Sequence, residues 1–208
     1  MIKDDESYLR VLAAHPRAAD VRYKKKILDA FIRGITETDD CAPRIFVDLT
    51  GGAGIVADHI LEHYCVIHTI YVNDASAECV AHLREKYKDV QRLPISNISN
   101  KDFADCVFSE TLDLCLLDMN TFTLKDGDTL RKISEFLKMN QIRYFALTDV
   151  ASFWYRFGKD GTSVYQAATW EDYVARVRTL FRVLGYDLVM NLKYGNNKVS
   201  LFLFRRRS

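Results

Sequence analysis

Proline is scarce in this chain, with three in 208 residues, so no proline-rich spacer divides it and few elements need break at a residue without an amide N–H. Charge of one sign is lacking as well: 29 Lys and Arg against 28 Asp and Glu leave a formal +1. That balance excludes capture of a polyanion by bulk charge, so any nucleic-acid contact must come from local clusters. No apolar run approaches a membrane span, and the opening MIKDDESYLR is acidic and polar, without the core of a secretory signal. The five cysteines, Cys41, Cys65, Cys79, Cys106 and Cys115, form no C-x-x-C pair and are odd in number. They are expected to be reduced, buried thiols, which places the protein in the cytoplasm or another reducing intracellular compartment, with no membrane partner. Neither a G-x-S-x-G elbow nor a Cys-His arrangement is present, which disfavours hydrolysis through a side-chain nucleophile.

What the chain does contain is alternation. With 49% hydrophobic residues it can bury a full core. Strand patterns at Ile45–Leu49, Val66–Val72, Val90–Leu93, Leu112–Asp118 and Ile142–Leu147 alternate with helical patterns that begin at Ile55 and span 76–87, 128–138 and 170–184. Two last strands, Tyr186–Leu192 and Val199–Phe204, are separated by a polar, glycine-containing turn that permits a hairpin and no crossover. The expected fold is α/β: a doubly wound, mostly parallel, seven-stranded Rossmann-like sheet ending in an antiparallel hairpin. Residues 1–40 read as a basic helical segment packed on the domain, and 41–208 as the domain itself.

The most informative stretch is Arg44 to Asp74. An apolar strand ends in Asp48-Leu49-Thr50-Gly51-Gly52-Ala53-Gly54, a helix follows at once, and the next strand ends in Asn73-Asp74. A glycine turn lets a ligand approach bare backbone, and an acid at the neighbouring strand tip can accept both hydroxyls of a ribose. The dinucleotide fingerprint G-x-G-x-x-G is not met, and no lysine follows the glycines as a phosphate loop requires.

The order D-x-T-G-G-x-G, with an acid at the next strand end, resembles class I S-adenosylmethionine-dependent methyltransferases over about residues 44–205. The resemblance implies S-adenosylmethionine as cofactor, held by Asp48, Thr50, Gly51, Gly52, Gly54, Asn73, Asp74, Asn97 and Ile98. It is closest in pattern to the adenine-N6 DNA methyltransferases. Arg22-Tyr23-Lys24-Lys25-Lys26-Ile27-Leu28-Asp29 is similar to the tyrosine-and-lysine segment that precedes their glycine strand, and Asn73-Asp74-Ala75-Ser76 to their N-D-x-S step. Nucleic acid, DNA or RNA, is the acceptor this implies.

At the fourth strand tip those enzymes carry D/N-P-P-Y/F/W; here the chain reads Asp118-Met119-Asn120-Thr121-Phe122, without either proline. Asp118, Asn120 and Phe122 are the candidate catalytic residues. Three readings stay open for Asp118. It orients an acceptor together with Asn120; or it caps a loop in a catalytically silent subunit that binds nucleic acid or supports a partner methyltransferase; or it faces solvent.

Three further features carry paired readings. The segment from Asp149 to Ala168 interleaves Phe153, Trp154, Tyr155 and Phe157 with Arg156 and Lys159, either as a lid for a planar acceptor or as a roof over the core. Lys24, Lys25, Lys26 and Arg33 lie on a helix whose apolar face is Ile27, Leu28, Phe31 and Ile32, so they meet either phosphates or water. A second basic cluster, Arg205–Arg207, reads as an exposed tail. His59 and His63, four residues apart, would suit one metal, but neither an acidic partner nearby in sequence nor a cysteine pair is assigned to them; they read as helix surface, and no metal is expected.

Overall fold

The computed structural model describes residues 19–118, 127–149, 169–194 and 199–207. Asn120, Phe122 and the aromatic and basic stretch 150–168 lie outside the described residues. The chain divides into two compact units, Met1–Cys106 and Val107–Ser208.

In the first unit, helix α1 (Ala19–Asp39) leads to strand β1 (Ile45–Asp48), helix α2 (Ile55–His63), strand β2 (Thr69–Asn73), helix α3 (Ala77–Lys86) and the short strand β3 (Ile98–Ser99). Both strand pairings, β1 with β2 and β2 with β3, are parallel. The apolar stripe of α1 recurs at helical spacing, and Ile27, Leu28, Phe31, Ile32 and Ile35 are all buried. Each contributes about 1.5–3 kcal/mol relative to exposure. The helix stops at Asp40, whose φ of 51° is left-handed. Ser76 caps α3 by accepting a hydrogen bond from the Cys79 N–H at 3.2 Å.

The expected strand at Val90–Leu93 is not formed. Those residues are turns, with the N–H groups of Val90 and Leu93 donating to the carbonyls of Tyr87 and Val90. Arg92 is the reason: its guanidinium donates to the carbonyls of Leu61, Tyr64 and Ile67, tying the segment to the end of α2. The Arg92 carbonyl still accepts from the Ile70 N–H of β2 at 3.0 Å, but Pro94 has no N–H to offer, and the paired strand forms only at Ile98–Ser99.

The second unit contains β4 (Leu112–Asp118), helix α4 (Gly127–Met139), β5 (Ile142–Asp149), helix α5 (Trp170–Val183), β6 (Tyr186–Tyr194) and β7 (Val199–Arg206). β4 and β5 run parallel. β7 then pairs antiparallel with both β5 and β6, so the last strand lies between its hairpin partner and the parallel strands. All but one residue of β4 is buried, as a parallel strand covered on both faces requires. Phe181 of α5 stacks on Phe204 of β7 with ring centroids 3.8 Å apart. The carbonyl of Ile142 accepts from the buried Tyr186 hydroxyl at 3.0 Å.

Among the described residues seven strands, ordered β3-β2-β1 in the first unit and β4-β5-β7-β6 in the second, make a mixed Rossmann-like sheet with a closing antiparallel hairpin. No described helix is long and apolar enough to cross a membrane.

Several surface expectations change. Cys79, Cys106 and Cys115 are buried, but Cys65 is exposed and Cys41 intermediate. Arg205 and Arg206 belong to β7, and Arg207 lies 3.7 Å from Asp187, so these residues are not a free tail. Lys24 is buried at 6% exposure, and Lys25 lies 3.8 Å from Glu62. Of the three consecutive lysines only Lys26 is fully exposed.

Gly54 generates the first prediction. Its φ is 78°, and a Cβ built there would lie 2.3 Å from the Tyr87 hydroxyl oxygen. Gly54→Ala should therefore lose about 2 kcal/mol or more of stability. In a Tyr87→Phe background the same substitution should cost less by at least about 0.5 kcal/mol, because the clashing oxygen is gone. Denaturant unfolding of the four proteins in the cycle measures this; strict additivity would contradict the packing.

Candidate functional site

The end of β1 and the start of α2 are joined by a turn whose backbone is spoken for almost atom by atom. Asp48, 1% exposed, accepts the Thr50 N–H at 3.0 Å. The Gly51 N–H donates to the Asn73 carbonyl at 2.8 Å, and the Gly54 N–H to the Gly51 carbonyl at 2.8 Å. The Gly52 N–H donates to Asp74 Oδ2 at 2.8 Å. A turn anchored on β1 is thus fastened to the tip of β2 by one backbone bond and one charge-assisted bond.

The glycines have different reasons to be there. A Cβ at Gly51 would fall 2.2 Å from Val72 Cγ1, and one at Gly54 would strike Tyr87. Both are required by the protein's own packing. Gly52, with φ of 51°, is the one whose amide is held by the carboxylate at the strand tip.

Asn73 and Asp74 divide the work at that tip. Asn73 is buried, and its amide donates to the carbonyls of Leu49 and Lys101 while its Oδ1 accepts from the Ser99 hydroxyl and the Lys101 N–H. These four bonds use its full hydrogen-bonding capacity, so its side chain clamps β1, β2 and the β3 end together. Asp74 is only partly buried. Its Oδ2 accepts from Gly52 and its Oδ1 from the Ser76 N–H at 2.9 Å, which occupies about half the lone-pair sites of a carboxylate. The remainder suits a vicinal diol. Asn97 donates from Nδ2 to the Ile70 carbonyl at 3.0 Å, and Ile98 is buried beside Val72; both brace β2 from its outer side.

Sequence reasoning missed the supports of the turn. The Tyr87 hydroxyl lies 2.8 Å from the Gly54 carbonyl and 2.7 Å from Asp58 Oδ1. Lys86 Nζ donates to the Ala53 carbonyl at 3.1 Å and to Asp58 Oδ2 at 2.6 Å. Burial, the Asp58 acceptor and the Asp58 and Asp48 charges all raise the Tyr87 pKa, so the phenol keeps its proton. Lys86 and Tyr87 lie about thirty positions from the glycines, at the end of α3, and no local motif marks them.

In the second unit, Asp118 ends β4 and is 5% exposed. Its Oδ1 accepts from the Thr148 hydroxyl on β5 at 2.6 Å. The reading of a strand-end acid facing solvent is therefore excluded.

This assembly of parallel strands, glycine turn, acid at the β2 tip and closing hairpin is the fold of class I S-adenosylmethionine-dependent methyltransferases. A methyltransferase from Clostridium acetobutylicum ATCC 824 superposes with a TM-score of 0.68 at 10% identity, covering 97% of this chain and all of its own. Magnesium protoporphyrin IX methyltransferase from Synechocystis PCC 6803, solved with S-adenosylhomocysteine, gives 0.61 at 12%, covering 90% and 85% of the two chains. A putative RNA methyltransferase from Pyrococcus horikoshii gives 0.58 at 11%, covering 87% and 83%. No protein-family sequence profile and no curated protein sequence matches the chain, so the likeness lies in the fold.

The Asp74–Gly52 bond gives a prediction that needs no ligand. Asp74→Ala should speed hydrogen exchange at the Gly52 amide by about tenfold or more, whereas Asp74→Asn, which keeps an acceptor, should change it less. Equal protection in all three proteins would show that the carboxylate does not hold the turn.

Proposed function

We propose that the chain is an S-adenosylmethionine-dependent methyltransferase and that its acceptor is nucleic acid. The observation that carries the cofactor reading is the Asp74 carboxylate: partly exposed, anchored by Gly52 and Ser76, and with acceptor capacity left for two ribose hydroxyls. When bound, S-adenosylmethionine supplies an electrophilic methyl on sulfonium sulfur. Asp74 would hold the ribose, and the turn from Thr50 to Gly54 would receive the methionine end. Asp48 and Asn73 would act as positioning residues, because their side chains bond to the turn and to the strand ends around it.

For the acceptor, the reading rests on the similarity of Asn73-Asp74-Ala75-Ser76 and of Asp118 to the adenine-N6 DNA methyltransferase pattern, with Asn120 and Phe122 as its companions. A putative RNA methyltransferase among the structural neighbours is in keeping with it. The lysine-rich helix supports it little, since Lys24 is buried and Lys25 faces Glu62. Asp118, aimed by Thr148, would accept a hydrogen bond from the nucleophile and fix its approach, a contribution of proximity and orientation with no covalent intermediate on the protein.

One observation favours a second reading, a silent subunit that supports a partner methyltransferase. Asp118 is buried and bonded to Thr148, and neither proline of the D-P-P-Y turn follows it. Transfer of labelled methyl to DNA and RNA pools separates the two. The enzyme reading expects transfer by the isolated chain, reduced about 10²-fold or more in Asp118→Ala with cofactor affinity nearly unchanged, and less severely in Thr148→Val. No transfer by the isolated chain, together with partner-dependent activity that survives Asp118→Ala, establishes the silent subunit instead.

A further inference from the structure

His59, Glu62 and His63 occupy α2 in the order H-x-x-E-H, which brings both imidazoles and the intervening carboxylate to neighbouring positions on one helical surface. The structure places one ligand atom from each within 4.8 Å of the others. His59 is buried, contrary to the expected surface role, while Glu62 and His63 are exposed. Glu62 is the acidic partner missing from the sequence reading, and Asp29 lies on a different helix, thirty residues from His59.

We infer that His59, Glu62 and His63 bind a divalent transition-metal ion, with Asp29 orienting the His59 ring. Three observations converge. First, Asp29 Oδ1 lies 2.7 Å from His59 Nε2, the carboxylate-to-imidazole contact that fixes the tautomer and raises the basicity of a metal-bound histidine. A proton on Nε2 leaves the lone pair on Nδ1. Second, His59 Nδ1 is buried and has no hydrogen-bond partner among the described residues, a state that costs about 1–3 kcal/mol unless something satisfies the atom. The ring of His63 stands 4.6 Å away, centroid to centroid, at 64°. Third, His63 Nε2 and Glu62 Oε2 are 3.4 Å apart, close to the roughly 3.4 Å that separates two ligands at about 2.0–2.1 Å from one tetrahedral ion.

The donor set selects the ion. Two neutral imidazoles and one carboxylate suit borderline divalent ions such as Zn²⁺, Co²⁺ or Ni²⁺ more than Mg²⁺ or Ca²⁺, which prefer oxygen. A fourth position is left for water. The histidines border an open surface depression of about 610 Å³ shared with Asp29, Arg33, Thr36 and Tyr64. The Tyr64 hydroxyl donates to the same Asp29 oxygen at 2.5 Å. Lys25, 3.8 Å from Glu62, is the cation that an ion would displace. Because Asp29 belongs to α1 and the three ligands to α2, an ion here would staple the two helices. This site is independent of the cofactor reading.

Zn²⁺ titrated against a chromophoric chelator, with the full chain, tests the inference. One equivalent should bind and raise the thermal midpoint. The exposed positions Glu62 and His63 allow substitution without loss of the fold: His63→Gln should weaken binding about 100-fold and Glu62→Gln about tenfold or more, and the half-buried Asp29→Asn, which keeps an acceptor, about tenfold. Cys65→Ser should leave binding unchanged, and Co²⁺ should give a tetrahedral absorption spectrum without a thiolate charge-transfer band. Absence of stoichiometric binding, equal affinity in His63→Gln, or loss of binding in Cys65→Ser would each overturn the inference.

Discussion

The bond between the Asp74 carboxylate and the Gly52 N–H spans 22 residues of sequence at 2.8 Å, and the geometry of the first unit converges on it. For that bond to exist, β1 and β2 must run parallel in the register that sets Asp48 opposite Val72. Asn73 must hold the strand ends level, and Gly52 must take a left-handed conformation that few other residues adopt cheaply. A parallel pair places both carboxyl ends on one edge, which is where open α/β sheets present their ligand groups. The structural requirement and the functional opportunity therefore meet in one carboxylate, which is only partly buried: one oxygen holds the glycine turn through Gly52, and the other holds the start of α3 through Ser76.

Behind the turn, residues other than Asp74 secure the backbone. Tyr87, Asp58 and Lys86 secure the carbonyls of Ala53 and Gly54, while Val72 and Tyr87 leave no room for a side chain at Gly51 or Gly54. A glycine-rich turn is often taken as a mark of a bound ligand. In this chain two of its glycines answer to internal packing, and the ligand argument rests on the acid and on Gly52.

Much of this was legible because the signals are local. Leu112–Asp118 reads as a buried parallel strand from its unbroken apolar run, and it spans those residues in the structure. Ser76 announces the start of a helix through its capping oxygen, and Trp170 opens α5 where Thr169, Glu171 and Asp172 mark a first turn. Failures came where a long-range contact decides. Val90–Leu93 has strand composition, but the guanidinium of Arg92 reaches three carbonyls near the end of α2 and fixes the segment as turns. Lys24 sits in a basic run, but helical periodicity turns it inward with Ile27 and Leu28. His59 looks like helix surface until Asp29 of α1 is found 2.7 Å away. For Arg92 and His59 the deciding partner is distant in sequence, so no window of local pattern contains it.

The central claim is that Asp74 is a ribose-binding carboxylate, and calorimetric titration of S-adenosylhomocysteine into folded wild type and Asp74→Ala tests it most directly. The account predicts one equivalent bound by the wild type and an affinity at least about tenfold weaker in the variant, corresponding to loss of charge-assisted hydrogen bonds worth about 1.5–3 kcal/mol. Equal affinity in the two proteins, or no binding by the wild type, would contradict it.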